Sequence, residues 1–131
     1  MNLFNKQERI SNCVLFINID RKNISLPVEI VHDPSSRSLG ATDTNGMGYV
    51  YKFENEGILQ FFVNNTNNPI DVIFINRRMQ ITHIERNLLM QGMGRGMLVT
   101  SKKKAMYVIE VPRGFTQRNN IDIGDNVRII G

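Results

Sequence analysis

The chain has 131 residues, 41% of them hydrophobic, and a formal net charge of +4 from 16 Lys and Arg against 12 Asp and Glu. That length fits one domain with a core of its own, and the composition excludes disordered and fibrous classes. The single Cys13 excludes an internal disulfide and a cysteine-only zinc site, and no apolar run approaches the roughly 20 residues of a membrane helix.

The opening MNLFNKQERISN has no apolar stretch behind a basic start, so no secretory signal is read there. The expected location is the cytoplasm or, for a phage-encoded chain, the virion. Residues 1–12 read as an N-terminal arm ahead of a single β domain over 13–131. The arm carries Leu3 and Phe4, too few apolar side chains for a core, and these are expected to dock on the domain or, preferably, on a neighbouring chain. Val14 to Ile19 is β-branched and aromatic, Asp20 to Asn23 supplies a turn, and Ile24 to Val31 resumes apolar alternation, which together predict a hairpin. Pro27 cannot donate to a ladder, so its strand should be an edge or carry its free position outward. Asp33-Pro34 is a start signal for a helix of about two turns ending near Gly40.

Beyond the turn-rich 40–48, Tyr49 to Phe53 reads as a strand, and Glu54-Asn55-Glu56-Gly57 as the turn that ends it. Ile58 to Val63 and Ile70 to Ile75 are two more strands, separated by a polar loop, Asn64 to Pro69. Ile81 to Glu85, Ala105 to Val111 and Val127 to Ile130 complete the set, with a glycine-rich loop over 91–96. About eight short strands with one or two short helices predict a mainly β fold: a small closed or partly open β-barrel, or a bent sandwich.

Three stretches carry a resemblance. FFVNNTNNPIDVIFIN at 61–76, AMYVIEVPRGFTQRNNIDIGDNVRI at 105–129 and ISLPVEIVHDPSSRSLG at 24–40 stand in the order found in domain-of-unknown-function family 192, which the chain resembles over about residues 14–131. The resemblance implies a compact, mainly β domain and little chemistry, because the family has no established activity. Two departures stand out. The segment 40–47 is shorter and more polar than the family's apolar loop, and Gly92 to Met97 stands where many members carry a cysteine pair.

Candidate chemistry is sparse. Asp71 lies between Ile70 and Val72, where an unpartnered carboxylate would cost several kcal/mol. It is read as a structural anchor for backbone N–H groups of the Asn-rich loop in preference to a ligand-binding carboxylate beside Asn64, Asn65 and Thr66. As an anchor, its replacement by Ala should cost about 1–3 kcal/mol. His83 and Glu85 are two apart on one strand face, with His32 a possible third member, but no metal-ligand spacing is present and a solvated strand face is preferred. Lys102-Lys103-Lys104, with Arg95 before it, offers contacts to phosphate or to an acidic partner, and Tyr49, Tyr51 and Phe61 offer stacking surfaces, yet no nucleic-acid motif joins them. A solvated lysine loop is preferred there, as a lone buried Cys13 is preferred as core.

No catalytic residue, metal site or cofactor is therefore assigned. The expected function is a non-enzymatic binding or accessory module that docks on a macromolecular partner, with a protein partner or assembly ahead of nucleic acid and no membrane role. Abundant Asn and Ile, as AT-rich coding produces, point to a phage or other assembly subunit as a sharper variant. A small hydrolase-like or ligand-binding enzyme using an Asn-Thr-Asp pocket, and a weak non-specific nucleic-acid binder, are the alternatives.

Overall fold

A computed structural model of the chain describes residues 8–17, 24–32, 48–64, 69–88 and 96–131. Seven strands, β1 (Glu8–Ile17), β2 (Ile24–His32), β3 (Gly48–Asn64), β4 (Ile70–Ile75), β5 (Ile81–Leu88), β6 (Gly96–Pro112) and β7 (Val127–Ile130), form one sheet in the order β5-β4-β6-β3-β2-β1-β7. A four-residue helix, α1 (Phe115–Arg118), joins β6 to the last strand. The fold is thus mainly β, as the strand patterning dictates. β1 starts at Glu8, so residues 8–12 extend the first strand; Leu3, Phe4 and the helix expected after Asp33 lie outside the described residues.

The expected hairpin is present: β1 and β2 pair antiparallel from Ile17↔Ile24 to Glu8↔His32. Pairing of β2 with β3 is parallel and begins at Val28↔Gly48, one residue past Pro27, so the missing proline donor falls outside that ladder. Gly48 fits closely there. A Cβ on it would stand 2.9 Å from Leu26 Cδ2 and 3.0 Å from Val28 Cγ1, closer than side chains pack.

Two expected boundaries are corrected. Glu54 to Gly57 is not a turn but a bulge: β3 runs on through it, with its register against β6 jumping between Lys52 and Gly57. Polar residues such as Glu54 and Asn55 signal reversal, but a bulge needs the same residues and bends the strand without ending it. The bend is severe. Tyr51 and Phe61 stand ten positions apart on one strand, about 33 Å if it were straight, yet their ring centroids are 4.8 Å apart. Likewise the lysine run is not in a loop. Lys102 to Lys104 lie within β6, where a second register jump opposite Ile58/Gln60 bulges the strand out and Lys102 takes φ 62°.

Because the β3/β6 ribbon folds back, the sheet has a core on each face. Every residue of β4 is buried, as continuous apolar runs between two layers are. Ile73 and Ile75 pack with Leu15, Leu26, Val28, Val50, Ile109, Phe115 and Ile121 on the concave face. Val72 and Phe74 pack with Phe61, Val63, Val99 and Val108 under the folded ribbon. Cys13 is part of the concave core, and the burial of Tyr51 and Phe61 removes the stacking role considered for them.

A closed barrel does not form. Strand β7 pairs with β1 between Val127↔Ile17 and Ile130↔Val14, and the strand order ends there without a ladder from β7 to β5. Edge strands β5 and β7 meet near one bridge, Gln80↔Asn126, and the sheet stays open. Residues 121–126 occupy the seam instead. Ile81 N–H donates to Asp125 O at 2.9 Å, Gly124 N–H to Ile81 O at 2.8 Å, and Val127 N–H to Met79 O at 2.8 Å.

Candidate functional site

The most connected polar group lies where α1 meets β4. Gly114, at φ 83°, makes the turn into the helix and sets Thr116 above Asp71. Thr116 donates to Asp71 Oδ2 through its hydroxyl at 2.7 Å and its backbone N–H at 3.3 Å. That hydroxyl also accepts from Arg86 Nε at 3.1 Å, and Arg86 Nη2 donates to Ile121 O at 2.8 Å. Asp71 and Thr116 are both buried, so the carboxylate carries the helix as a structural tie. Asp71 is thus an anchor for α1, whereas the loop at 65–68 expected to supply its donors lies outside the described residues. Asn65 and Thr66 lie outside the described residues, as does the side chain of Asn64. A polar recess of about 230 Å³ beside the tie is lined by Asp71, Arg86, Arg113, Gly114 and Gln117.

The other end of β4 is cationic. The turn Asn76–Gln80 is fixed by Asn76, whose Oδ1 accepts the N–H groups of Arg78 and Gln80, both at 3.0 Å. It holds Arg77 and Arg78 outward, and Met79 takes φ 62°. Against it a polar cleft of about 520 Å³ is lined by Glu56, Asn76, Arg77, Arg78, Gln80 and Lys104. Its one carboxylate, Glu56, is engaged: Oε2 accepts the Arg77 backbone N–H at 2.8 Å. So one member of the lysine run, Lys104, joins two arginines that are distant in sequence. Across the same turn a second cleft of about 320 Å³ is lined by Ile30, Val50, Lys52, Met79, Tyr107, Val127, Arg128 and Ile129.

His83 and Glu85 do meet, with Nε2 and Oε1 2.8 Å apart, and the His83 ring stacks on Phe74 with centroids 5.9 Å apart. Lys102 Nζ stands 3.9 Å from the same Glu85 oxygen, a long ion pair on a side chain that stays exposed to solvent. The side chain of His32 is outside the described residues, as is Arg95. Among the described residues no three His, Cys, Asp or Glu side chains form a group able to hold a metal ion. One buried carboxylate has no counterpart in the sequence reading: Glu110, on β6 inside the apolar layer, accepts the Tyr51 hydroxyl at 3.0 Å.

The model of the family DUF192, described as Uncharacterized ACR, matches residues 16–129. The chain belongs to the DUF192 family. No curated protein is significantly similar to it. Among solved structures it is similar to a proposed transcription regulator from Sinorhizobium meliloti, with 23% identity, a TM-score of 0.72 and coverage of 93% of this chain and 92% of that one. It is also similar to a protein of unknown function from Novosphingobium aromaticivorans, with 17% identity, a TM-score of 0.72 and coverage of 88% and 83%. Both likenesses establish the fold. Sequence reading of this DUF192 member missed Thr116, Arg86 and Glu110, which no spacing rule marks, and Arg77-Arg78, whose position in an Asn-led turn was a usable signal.

Proposed function

We propose that this DUF192 protein is a non-enzymatic binding module whose Asn76–Gln80 end receives an acidic segment of a partner protein. The observation that carries the reading is the cleft in which Arg77, Arg78 and Lys104 converge while the sole lining carboxylate is committed to a backbone N–H. Arg side chains hold carboxylates in paired hydrogen bonds, and Asn76 and Gln80 add neutral polar contacts at the floor. Two carboxylates weighed for chemistry, Asp71 and Glu85, are engaged with Thr116 and His83, which supports binding over acid–base chemistry. The sharper expectation of a phage or other assembly subunit rested on abundant Asn and Ile, and its expected docking residues Leu3 and Phe4 lie outside the described residues, so the partner is defined here by charge alone.

The test is the affinity of a fluorescent tetraglutamate peptide at two salt concentrations, for the wild type and for Arg77→Glu/Arg78→Glu/Lys104→Glu. Binding should weaken about tenfold or more in the triple variant, and with rising salt, as exposed charge contacts do. The relative described as a proposed transcription regulator makes duplex DNA the control ligand. DNA bound more tightly than the peptide, with a salt slope that loses about three units in the triple variant, would replace the acidic-protein reading by nucleic-acid binding.

A further inference from the structure

The second cleft differs in chemistry from the first. Six of its eight lining residues, Ile30, Val50, Met79, Tyr107, Val127 and Ile129, are apolar or aromatic, and they belong to the concave core or pack against it. It is the place where that core reaches the surface, beside the seam that the sheet leaves open. Clefts lined mainly by apolar side chains with a few placed charges are common binding places. The two remaining lining residues are Lys52 and Arg128, and no carboxylate lines the cleft. Both clefts use the same turn: Arg77, Arg78 and Gln80 face one and Met79 faces the other.

We infer that the apolar cleft takes a single large aliphatic or aromatic side chain from the same acidic segment, so that the turn is straddled by an apolar anchor on one side and carboxylates on the other. The inference rests on the acidic-partner reading above. Charge selects the occupant. A basic or neutral apolar segment would bring cations or nothing to Lys52 and Arg128, whereas an acidic one gives both rim cations a partner while its anchor leaves water. Nucleic acid would satisfy the cations but would leave the aliphatic floor of Ile30, Val50 and Ile129 poorly matched, since bases are bound by stacking on aromatic faces. Met79 is suited to the wall because its unbranched thioether adapts to an entering side chain.

The experiment compares tetraglutamate with the same peptide carrying one Leu or one Phe, placed one to four residues from the acidic run, by fluorescence anisotropy on the full chain. At the best spacing the anchor should tighten binding by roughly ten- to a hundredfold, the effect of burying one such side chain. In Met79→Gln and Ile129→Gln that gain should fall to threefold or less, while tetraglutamate binds as it does to the wild type. The first cleft's triple variant should lose both peptides. If anchored and unanchored peptides bind equally, or if the gain survives both glutamine variants, the anchor site is overturned and the acidic-partner reading stands. If neither peptide binds, the acidic-partner reading falls and the anchor site with it. Circular dichroism of each variant, unchanged from the wild type, separates loss of the cleft from loss of the fold. A misfolded Ile129→Gln leaves Met79→Gln to decide.

Discussion

Thr116 is the residue on which the α1 tie turns, because one hydroxyl serves a carboxylate on one side and a guanidinium on the other. Thr116→Val keeps the shape and removes both bonds, leaving a buried carboxylate short of its nearest donor. A loss of about 2 kcal/mol is expected, measured as a lower urea midpoint at unchanged slope. Asp71→Asn should be milder, since the amide oxygen still accepts from the Thr116 N–H and hydroxyl. A Thr116→Val variant as stable as the wild type would show that α1 is held by Phe115 and Ile121 packing alone.

Among the elements, β6 shows how a bulge is built and why sequence hid it. Residues 101–103 stand opposite Leu59 alone, two more than a regular ladder has, and the N–H of Leu59 donates to Ser101 Oγ at 2.9 Å, while that hydroxyl donates to Lys103 O at 2.6 Å. Ser101 is fully buried, and Ser101→Ala should cost about 1–3 kcal/mol by orphaning the Leu59 amide. Exchange of that amide, at least tenfold faster in the variant once global unfolding is accounted for, would distinguish a lost hydrogen bond from looser packing. Strand existence was legible from apolar alternation in Ile24 to Val31 and from the nearly continuous apolar run Ile70 to Ile75, because one or two buried faces leave a pattern in hydropathy. Bulge-and-continue was not legible, because Glu54 to Gly57 and Lys102 to Lys104 have the composition of surface turns and differ from them only in what they pair with. The same holds for the site. Asp71 was visible as an apolar-flanked carboxylate, but Arg77, Arg78 and Lys104 converge through the fold of the β3/β6 ribbon, and no local pattern encodes that.

At the scale of the molecule, the order β5-β4-β6-β3-β2-β1-β7 places β4 and β6 inside two cores and leaves the seam to backbone bonds from residues 121–127. Hydrogen exchange should therefore be uneven. Amides in the middle of β4 and β6 should exchange only by global unfolding, and those of Ile81, Gly124 and Val127 at least tenfold faster through local opening. Equal protection across the seam would mean that the two edges behave as a closed barrel in solution. The pairing of β7 with β1 has a further consequence, for synthesis. The strand Val127–Ile130 must find residues 14–17, which were made much earlier. Until it has been made the β1 edge stands bare, an open template for strands of other nascent chains. A chain lacking residues 127–131 would still contain every described buried hydrophobic residue except Val127. Such a chain would keep nearly all the described core and lack only the cover on that edge, so it should collect in aggregates built edge to edge sooner than it is degraded as an unfolded chain.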